Sequence, residues 1–380
     1  MIIQVTGTGT SNKGAELLLV AVQQQLKTAF PNVQLAVSAS FGDFTERARY
    51  GLRLVLPETP KRRWWLAGRL MPSVFREHLG LVMESDVDAV LDASGFAFGD
   101  QLGAKRVTEF AHNVQRWKRQ GKPVILLPQA LGPFENPEVR DAFGEVMQSA
   151  DMVFARDDIS FQHASRLISS GEKLRQSPDF TNLVQRPAND DLDERKFDSL
   201  LVPNFQMIAK GTAGRADQYV PFLARCYQQL EAQGLSVAVL LHDDRKDARL
   251  IDPLRRELKH DFVVTSERDP LRLKAILGTA RLVVGSRFHA LVGALSQGVP
   301  SVAAGWSHKY ETLLAEYDSR DATLPVDADG REIGDLFGSI MGDWEARQAA
   351  VAAAAERLRE SARQMWKVVI LSLQSSVGAA

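Results

Sequence analysis

The sequence predicts an α/β protein with two doubly wound domains of similar size, facing one another. Short β-branched or apolar runs alternate with longer segments of helical periodicity, and this alternation occurs on both sides of an acidic stretch, Gln185–Asp198. Strands that alternate with helices of about 10–15 residues imply parallel sheets with crossover connections. Several of the runs are apolar throughout, which indicates strands covered on both faces.

The elements follow in order along the chain. In the first half the predicted strands are Ile2–Thr6, Val33–Ser38, Arg53–Leu56, Ala89–Ala93, Val124–Pro128 and Met152–Ala155, and the clearest helices are Gly14–Thr28, Ala104–Arg119 and Glu138–Ser149. In the second half the predicted strands are Leu200–Pro203, Val237–Leu241, Phe262–Thr265, Leu282–Gly285 and Ser301–Ala304. The helices there are Gln218–Gln233, Asp247–Lys259, Pro270–Gly278, Phe288–Gln297 and Lys309–Glu316.

These elements define the domain boundaries. We predict an N-terminal domain over residues 1–184, a linker over 185–198, a C-terminal domain over 199–342 and a helical segment over 343–380. The linker contains a proline, many acidic residues and little that could pack. The last segment has no Gly or Pro between Asp343 and Gln374 and is rich in alanine, the best helix former, which predicts one long helix or a broken pair.

Composition excludes several classes of protein. The 46 basic and 47 acidic residues nearly cancel, so no whole-molecule attraction to nucleic acid is expected. The single cysteine, Cys226, excludes an intramolecular disulfide framework, a Cys-cluster zinc site and an iron–sulfur centre. No signal peptide or transmembrane run is visible, which predicts a soluble, cytoplasmic protein.

Polar residues follow the strands of the second half. Ligands of open α/β sheets bind beyond the carboxyl ends of the strands, so these residues are candidate ligand contacts. They are Asn204, His242, Ser286, Arg287, His289, His308 and Lys309.

The strongest pattern surrounds Arg287 and His289. A strand ends at Gly285, Ser286 can cap the next helix, and two cationic side chains then meet a helix N-terminus, which is typical of a phosphate or carboxylate site. Residues two apart on a helix differ in direction by about 200°. We therefore favour a helix that begins at about Phe288, with Arg287 in the loop and His289 pointing into the cleft.

The loops of the first domain supply a second set of candidates. The stretch Gly7–Glu16 is rich in glycine but has the spacing of neither a Walker A loop nor G-x-G-x-x-G, so a tight turn and a ligand loop both stay open. Within it, Asn12 and Glu16 could reach a ligand. Further candidates follow other strands of the first domain: Ser94, Gln129, Arg156 and Asp157. Arg156 and Asp157 could instead form an ion pair.

Together these motifs resemble the polysaccharide pyruvyl transferase family. The matching segments, in family order, are GTGTSNKGAELLL (7–19), LDASGF (91–96), LLPQALGPF (126–134), ARDDIS (155–160), SPDF (177–180) and GSRFHALVGALSQGVPSVAAGWSHKY (285–310). In the first segment the family more often has Gly-Asp where this chain has Gly14-Ala15-Glu16. The resemblance implies a GT-B-like fold with two facing Rossmann-like domains.

The resemblance also implies an activity, the transfer of a pyruvyl group from phosphoenolpyruvate to two hydroxyls of a glycan or lipid-linked intermediate. The products are a cyclic ketal and phosphate, with no cofactor. It implies catalytic roles for His289, Arg287 and Glu16. It implies donor or anion contacts at Ser286, His308, Lys309, His242 and Asn204, and acceptor contacts at Asn12, Gly14, Ser94, Gln129, Arg156 and Asp157.

Two alternatives remain, a GT-B-type glycosyltransferase with a nucleotide-sugar donor and a non-catalytic binding protein of the same fold. A donor screen that compares phosphoenolpyruvate with nucleotide-sugars would distinguish a glycosyltransferase from a pyruvyl transferase. Loss of the key side chains would indicate a non-catalytic binding protein. We expect no metal site, since chance accounts for the Asp-x-Asp triplets at 86–88, 191–193 and 327–329.

A basic and apolar segment, Lys61–Arg76, stands apart from these motifs. It has five basic residues, no acid, and interleaved Trp, Leu, Met, Val and Phe, a mixture that suits a membrane interface or an anionic acceptor. The other interpretation is a core-facing helix with a basic outer face.

Overall fold

The computed structural model describes residues 1–57, 64–168, 173–185, 196–209, 217–304 and 308–377. The chain divides into two units, which are Met1–Phe180 with Ser361–Ala380 (unit 1) and Thr181–Glu360 (unit 2). Most of the predicted linker 185–198 lies outside the described residues, as do Lys61–Arg63 of the basic segment.

Unit 1 contains a parallel sheet. Its strands are β1 (Ile2–Thr6), β2 (Gln34–Val37), β3 (Arg53–Leu56), β4 (Leu81–Met83), β5 (Ala89–Asp92), β6 (Phe96–Phe98), β7 (Val124–Leu131), β8 (Met152–Ala155) and β9 (Leu174–Gln176). They are ordered β4-β3-β2-β1-β5-β7-β8-β9, with β6 paired to β7. The strand order reverses between β1 and β5, which are paired in register from Ile3–Ala89 to Thr6–Asp92.

The helices of unit 1 cover both faces of this sheet. They are α1 (Lys13–Ala29), α2 (Phe44–Arg49), α3 (Trp64–Leu70), α4 (Ser73–His78), α5 (Ala104–Arg119), α6 (Pro137–Ser149) and α7 (Asp158–Ser165). Val90, Leu126 and Val153 share one core cluster with apolar residues of α5 and α6. Their neighbours Leu91 and Ile125 are fully buried as well, and successive strand residues point to opposite faces, so both faces are covered.

Unit 2 contains a second parallel sheet. Its strands are β10 (Ser199–Val202), β11 (Val237–Leu241), β12 (Val263–Ser266), β13 (Leu282–Gly285), β14 (Ser301–Ala304) and β15 (Thr323–Leu324). Their order is β12-β11-β10-β13-β14-β15, the doubly wound order 3-2-1-4-5-6. The order reverses between β10 and β13, and ligands of open α/β sheets bind in the crevice beyond the carboxyl ends of the strands at such a reversal.

The helices of unit 2 pack on both faces of its sheet. They are α8 (Gln206–Ala209), α9 (Tyr219–Ala232), α10 (Ile251–Leu258), α11 (Pro270–Thr279), α12 (Phe288–Leu295), α13 (His308–Glu316) and α14 (Gly330–Gly342). Leu201, Val239 and Val284 lie in one core cluster, with residues of α9 and α14. Leu200, Leu240 and Val283 lie in the other, with residues of α11 and α12.

The alanine-rich C-terminal segment forms one continuous helix, α15 (Trp344–Val377). In unit 2 its Val351 and Ala354 are buried in the larger core cluster. In unit 1 the buried Trp366 packs edge-to-face against Phe180, with ring centroids 5.9 Å apart. None of the helices in the described ranges is long and apolar enough to cross a bilayer.

Candidate functional site

The loops after β10 and β13 are joined at the point where the strand order of unit 2 reverses. Asn204 follows β10, and its Nδ2 donates a hydrogen bond of 2.7 Å to the carbonyl of Ser286, which follows β13. The backbone N–H of Ser286 donates in return to the carbonyl of Val202 at 3.2 Å. Asn204 Oδ1 also accepts from the N–H of Gln206 at 3.0 Å. The structure thus brings two of the predicted donor-binding residues together and gives Asn204 backbone partners on both sides of the crevice.

Two buried tyrosines fix the same pair of loops. The hydroxyl of Tyr310 donates to the carbonyl of Ser286 at 2.8 Å, and the hydroxyl of Tyr219 accepts from the N–H of Asn204 at 2.9 Å. Burial raises the pKa of Tyr310 to about 12, while the positive charge of Arg287 lowers it in part. Burial also raises the pKa of Tyr219 well above its usual range. Both hydroxyls are therefore protonated near neutral pH, and the loops are held by neutral, buried hydrogen bonds.

Arg287 lies in the loop, and the helix begins at Phe288. Arg287 is the N-cap of α12, with extended dihedrals (φ −111°, ψ 114°). The sequence suggested Ser286 as the cap, which is wrong, because Ser286 precedes the cap position and is fully buried with its carbonyl engaged. Among the described residues no side chain caps α12, so the positive end of this helix faces the loop that carries Arg287.

The guanidinium of Arg287 is paired with Asp247, a residue that the sequence analysis placed at the start of a helix. Arg287 Nε donates to Asp247 Oδ2 at 3.1 Å, and Arg287 Nη2 donates to Asp247 Oδ1. The Arg287 side chain is only 12% exposed and that of Asp247 is fully buried. A second carboxylate, Asp243, lies 4.0 Å from Nη2. This pairing fixes the plane of the guanidinium group. The hydrogen bonds to Asp247 come from Nε and Nη2 and not from Nη1.

Asp247 connects three loops at the carboxyl edge of the sheet. Besides Arg287 after β13, it accepts from the N–H of Phe205 after β10 and from the N–H of Asp243 after β11, both at 3.0 Å. Both carboxylate oxygens therefore accept two hydrogen bonds each. Residues 247–250 form a short 3-10 helix before α10, so the predicted helix Asp247–Lys259 begins later than expected.

Three predicted histidines follow strands β11, β13 and β14 of unit 2. His289 is the second residue of α12 and is half-buried, with its ring edge-to-face against Phe288 at a centroid distance of 5.4 Å. His242 follows β11 and is buried. His308 is the first residue of α13, and its side chain lies outside what the structure describes. Lys309 follows it and is exposed, with Nζ 5.0 Å from the centroid of the Tyr310 ring.

A comparable centre lies in unit 1, where its strand order reverses. Asp92, at the end of β5, is buried and accepts from Thr6 Oγ1 at 2.8 Å, from Ser94 Oγ at 2.9 Å and from Gln129 Nε2 at 3.1 Å. Two predicted acceptor residues, Ser94 and Gln129, thus meet at a carboxylate that the sequence analysis did not single out. Gln129 Oε1 is buried without a hydrogen bond.

Gly7 allows the loop after β1 to reach this centre. It has a left-handed φ of +77°, and a Cβ on it would lie 2.0 Å from Ser94 Oγ and 2.6 Å from Ser94 Cα. The second of these atoms is backbone and cannot rotate away.

We therefore expect Gly7→Ala to destabilise unit 1 by about 2–4 kcal/mol, from the strained φ together with the clash. Gly51 serves as the matched control, because it also has a positive φ but has nothing within 4 Å of its Cβ position. Urea titration measures both changes; equal losses for Gly7→Ala and Gly51→Ala would contradict the close approach.

The other predicted residues of the Gly-rich loop have local partners. Asn12 is the N-cap of α1 and accepts from the N–H of Gly14 at 2.9 Å. Glu16 is fully buried; Lys13 Nζ lies 2.6 Å from it, Arg49 lies 3.6 Å away, and the hydroxyl of Tyr50 donates to it. The catalytic role of Glu16 stays a prediction, and the structure shows that its carboxylate ties α1 to the end of α2.

Arg156 and Asp157 do not pair with each other. Arg156 is buried with Nη1 3.6 Å from Asp179 of the SPDF segment, while Asp157 is the N-cap of α7 and accepts from the N–H of Ser160 at 2.7 Å. The N–H of Arg156 also donates to the carbonyl of Gln129 at 3.0 Å. Arg156 therefore adjoins the Asp92 centre, and Asp157 has a capping role.

No group of three or more His, Cys, Asp or Glu residues in the described ranges is arranged to hold a metal ion. The charged groups of the candidate site in unit 2 are the cation Arg287, the carboxylates Asp243 and Asp247, and the positive end of α12.

Comparison with known proteins gives one family and a group of structures. The family model described as polysaccharide pyruvyl transferase matches residues 12–308. Among solved structures, Anabaena HepE in complex with UDP-glucose has a TM-score of 0.58 at 12% identity, and the match covers 100% of this chain and 99% of that one. UDP-GlcNAc 2-epimerase from Neisseria meningitidis has a TM-score of 0.58 at 11% identity, covering 96% of this chain and 99% of that one. These neighbours are GT-B proteins, and the predicted fold class is confirmed.

Proposed function

Because the chain belongs to the polysaccharide pyruvyl transferase family, we propose that it transfers the pyruvyl group of phosphoenolpyruvate to two hydroxyls of one sugar. The acceptor is a glycan or a lipid-linked saccharide, and the products are a cyclic ketal and phosphate. The observation that carries this proposal is the family match over residues 12–308, which includes the Arg287–His289 turn at the crevice of unit 2.

The reaction needs an acid, a base and a site for two anionic groups. The methylene carbon of phosphoenolpyruvate takes up one proton and becomes a methyl group. One sugar hydroxyl adds to the neighbouring carbon, and the second hydroxyl replaces phosphate there. The two sugar hydroxyls release two protons. One of them reprotonates the general acid, which has given its proton to the methylene carbon, and the other leaves with phosphate. No electron is gained or lost overall.

Arg287 suits the anionic donor because of how Asp247 holds it. An arginine has five N–H donors in a fixed plane, and Asp247 uses one on Nε and one on Nη2. We assign the donors on Nη1 to the carboxylate or phosphate of phosphoenolpyruvate. Asp247 and Asp243 offset the charge of Arg287, so the N-terminus of α12 and Lys309 supply the positive charge for a donor that carries both a phosphate and a carboxylate.

His289 is our candidate for the general acid. It lies in the first turn of α12, two residues after Arg287, and an imidazole is the side chain that most often exchanges protons near neutral pH. A donor whose phosphate and carboxylate are held by Arg287 and the helix end would have its enol carbon close to this turn.

A donor panel tests the proposal against the glycosyltransferase alternative. The purified protein is incubated with glycan intermediates and either phosphoenolpyruvate or UDP-glucose, and free phosphate and free UDP are measured. We expect acceptor-dependent phosphate release from phosphoenolpyruvate. Acceptor-dependent release of UDP, with none of phosphate, would instead support a nucleotide-sugar donor, and no release with any acceptor would favour a binding protein.

We also expect the activity to survive chelation. Arg, Lys and helix N-termini can meet the negative charge of the donor, so the proposed reaction requires no divalent cation. The measurement compares initial rates before and after dialysis against EDTA, and we expect rates equal within about twofold. Loss of activity that Mg²⁺ or Mn²⁺ restores would contradict this part of the proposal.

A further inference from the structure

The Asp92 centre of unit 1 is flanked by buried side-chain oxygens that no described residue satisfies. They are Thr8 Oγ1, in the loop after β1, and Gln129 Oε1, near the end of β7. Strands β1 and β7 are the two neighbours of β5, which ends at Asp92, so both oxygens lie at the carboxyl edge of the sheet on either side of this carboxylate. Buried polar atoms are nearly always hydrogen-bonded, and two exceptions beside one carboxylate indicate that a ligand completes the centre.

Asp92 determines which hydrogen bonds a ligand can make here. It accepts the hydroxyl protons of Thr6 and Ser94 and one N–H of Gln129. A hydroxyl has only one proton, so the oxygens of Thr6 and Ser94, two half-buried residues, retain only lone pairs for a ligand. Gln129 Oε1 is likewise an acceptor. The centre therefore offers acceptors, and it favours a ligand that brings several hydrogen-bond donors.

An exposed aromatic ring adjoins these acceptors. Phe96 begins β6, is 40% exposed, and pairs across the ladder with Ala130, the residue after Gln129. Its backbone N–H donates to the carbonyl of Ser94 at 2.7 Å, so Phe96 and Ser94 belong to one tight turn. The face of an aromatic ring is electron-rich and attracts the apolar C–H face of a sugar. Small-molecule sites typically combine such an apolar wall with a few placed polar groups.

Charge favours a neutral ligand over an anionic one. Asp92 is buried and negative, and the cation nearest to it along the sheet edge, Arg156, has its Nη1 3.6 Å from the carboxylate of Asp179. A phosphate or carboxylate placed against Thr6 and Ser94 would meet acceptor oxygens and a negative charge. A neutral ring that carries several hydroxyls supplies the donors without this repulsion.

We propose that the Asp92 centre binds a sugar ring of the acceptor. The ring stacks on Phe96, and its hydroxyls donate to Thr6, Ser94 and Gln129. The inference rests on the proposed function for the identity of this sugar as the acceptor. Asp92 is a positioning residue, because it turns the protons of its neighbours away from the ligand, and Phe96 is a specificity residue for rings with a flat C–H face.

Saturation-transfer-difference NMR of the full chain, with no donor substrate present, tests the binding. The probes are the methyl β-glycosides of glucose, galactose and mannose. We expect saturation of ring C–H protons in at least one of them, with a Kd that increases about tenfold or more in Phe96→Ala because stacking and apolar burial are lost. Phe96→Tyr keeps the ring and should bind as the parent does.

Phe75→Ala is the matched control. Phe75 is also an exposed phenylalanine of unit 1, but it lies in α4, before the edge strand β4, which is four strands away from β5 in the sheet. This variant should retain the parent Kd. Thermal melting by circular dichroism checks that all variants fold as the parent does.

Fluorinated glycosides test the direction of the hydrogen bonds. Fluorine cannot donate a hydrogen bond, so replacing a contacting hydroxyl by fluorine leaves an acceptor of the protein unpaired. We expect at least one deoxyfluoro derivative of the bound glycoside to have a Kd about tenfold or more above that of its parent sugar. Equal binding of every deoxyfluoro derivative would contradict the acceptor character of the centre.

Steady-state kinetics separates this inference from the proposed reaction. Phe96→Ala should increase the KM for the acceptor by about tenfold or more and keep kcat within about threefold of the parent value. Phosphate release by the parent, together with the same sugar Kd in parent and Phe96→Ala, would overturn this inference alone. So would the absence of saturation in all three glycosides, which would leave the unpaired oxygens to water. Sugar binding that depends on Phe96, without phosphate release from phosphoenolpyruvate, would support the site and contradict the reaction.

Discussion

Replacement of His289 by alanine should lower kcat by at least about 100-fold without unfolding the protein, because a positioned proton donor contributes about 10²–10⁴ in rate. The side chain is half-buried at the first turn of α12 and packs against Phe288, so its loss removes little core. The KM for phosphoenolpyruvate should change less than kcat, because the acid acts on the reacting carbon. Steady-state kinetics with saturating acceptor measures both constants.

His260→Ala is the matched control, since His260 is exposed in the same unit and lies near Glu231 and Tyr227 rather than at the crevice. It should retain the parent kcat. A folded His289→Ala protein within about threefold of the parent rate would remove His289 from the mechanism and move the acid role to His308 or His242.

Replacement of Asp247 by alanine should be the most damaging single change in unit 2 outside the apolar core. It leaves the poorly exposed guanidinium of Arg287 without its bidentate partner and removes the acceptor of two loop N–H groups. Breaking such a pair costs about 3–5 kcal/mol. Asp247→Asn keeps the shape and one oxygen that accepts two of the four hydrogen bonds, but it presents an amide N–H₂ to the other two donors, so we expect a smaller loss of stability than for alanine.

The kinetic effect of Asp247→Asn distinguishes positioning of Arg287 from a purely structural role. If Asp247 orients Arg287 toward the donor, the KM for phosphoenolpyruvate should increase by about tenfold or more while the KM for the acceptor stays near the parent value. Asp252→Ala, an exposed carboxylate of α10 next to Arg255, is the control and should leave stability and KM unchanged. An Asp247→Asn protein with the parent melting temperature and the parent KM for phosphoenolpyruvate would refute this role.

The central strands could be predicted from the sequence almost to the residue. Ile2–Thr6, Val237–Leu241 and Leu282–Gly285 are observed with the predicted bounds, since each is a buried apolar run that both faces of a sheet require. The strands that were missed lie mostly at or near sheet edges. For example, β4 has three residues and β15 has two, too few for any period to be visible.

The positions of the candidate site could be predicted, but its internal partners could not. Polar residues after β10 and β13 meet because the strand order reverses between these strands, a rule that applies without knowledge of side chains. Asp247 is 40 residues from Arg287 in sequence, and its approach depends on the path of the loop after β11. From the sequence, Asp247 was predicted to be the first residue of a helix. Nearby in the sequence, only Asp243, four residues earlier on the same loop, indicated that Asp247 could belong to a group of acids at the end of β11.

Asp92 was missed for a related reason. It ends an apolar strand, and the sequence alone does not show that Thr6, Ser94 and Gln129 all turn toward it. Buried carboxylates of this kind require hydrogen-bond donors from several elements, so an acid at the end of an apolar strand deserves inclusion among site candidates.

The mass of the acceptor after reaction tests the central claim most directly. The protein is incubated with phosphoenolpyruvate and an acceptor from the panel that supports phosphate release, and the saccharide is analysed by mass spectrometry. Our account predicts a product heavier than the acceptor by one pyruvate less one water, with two fewer exchangeable hydroxyl protons, formed in equal amount to phosphate. A product that gains a whole sugar residue from UDP-glucose, or phosphate release with an unchanged saccharide, would contradict it.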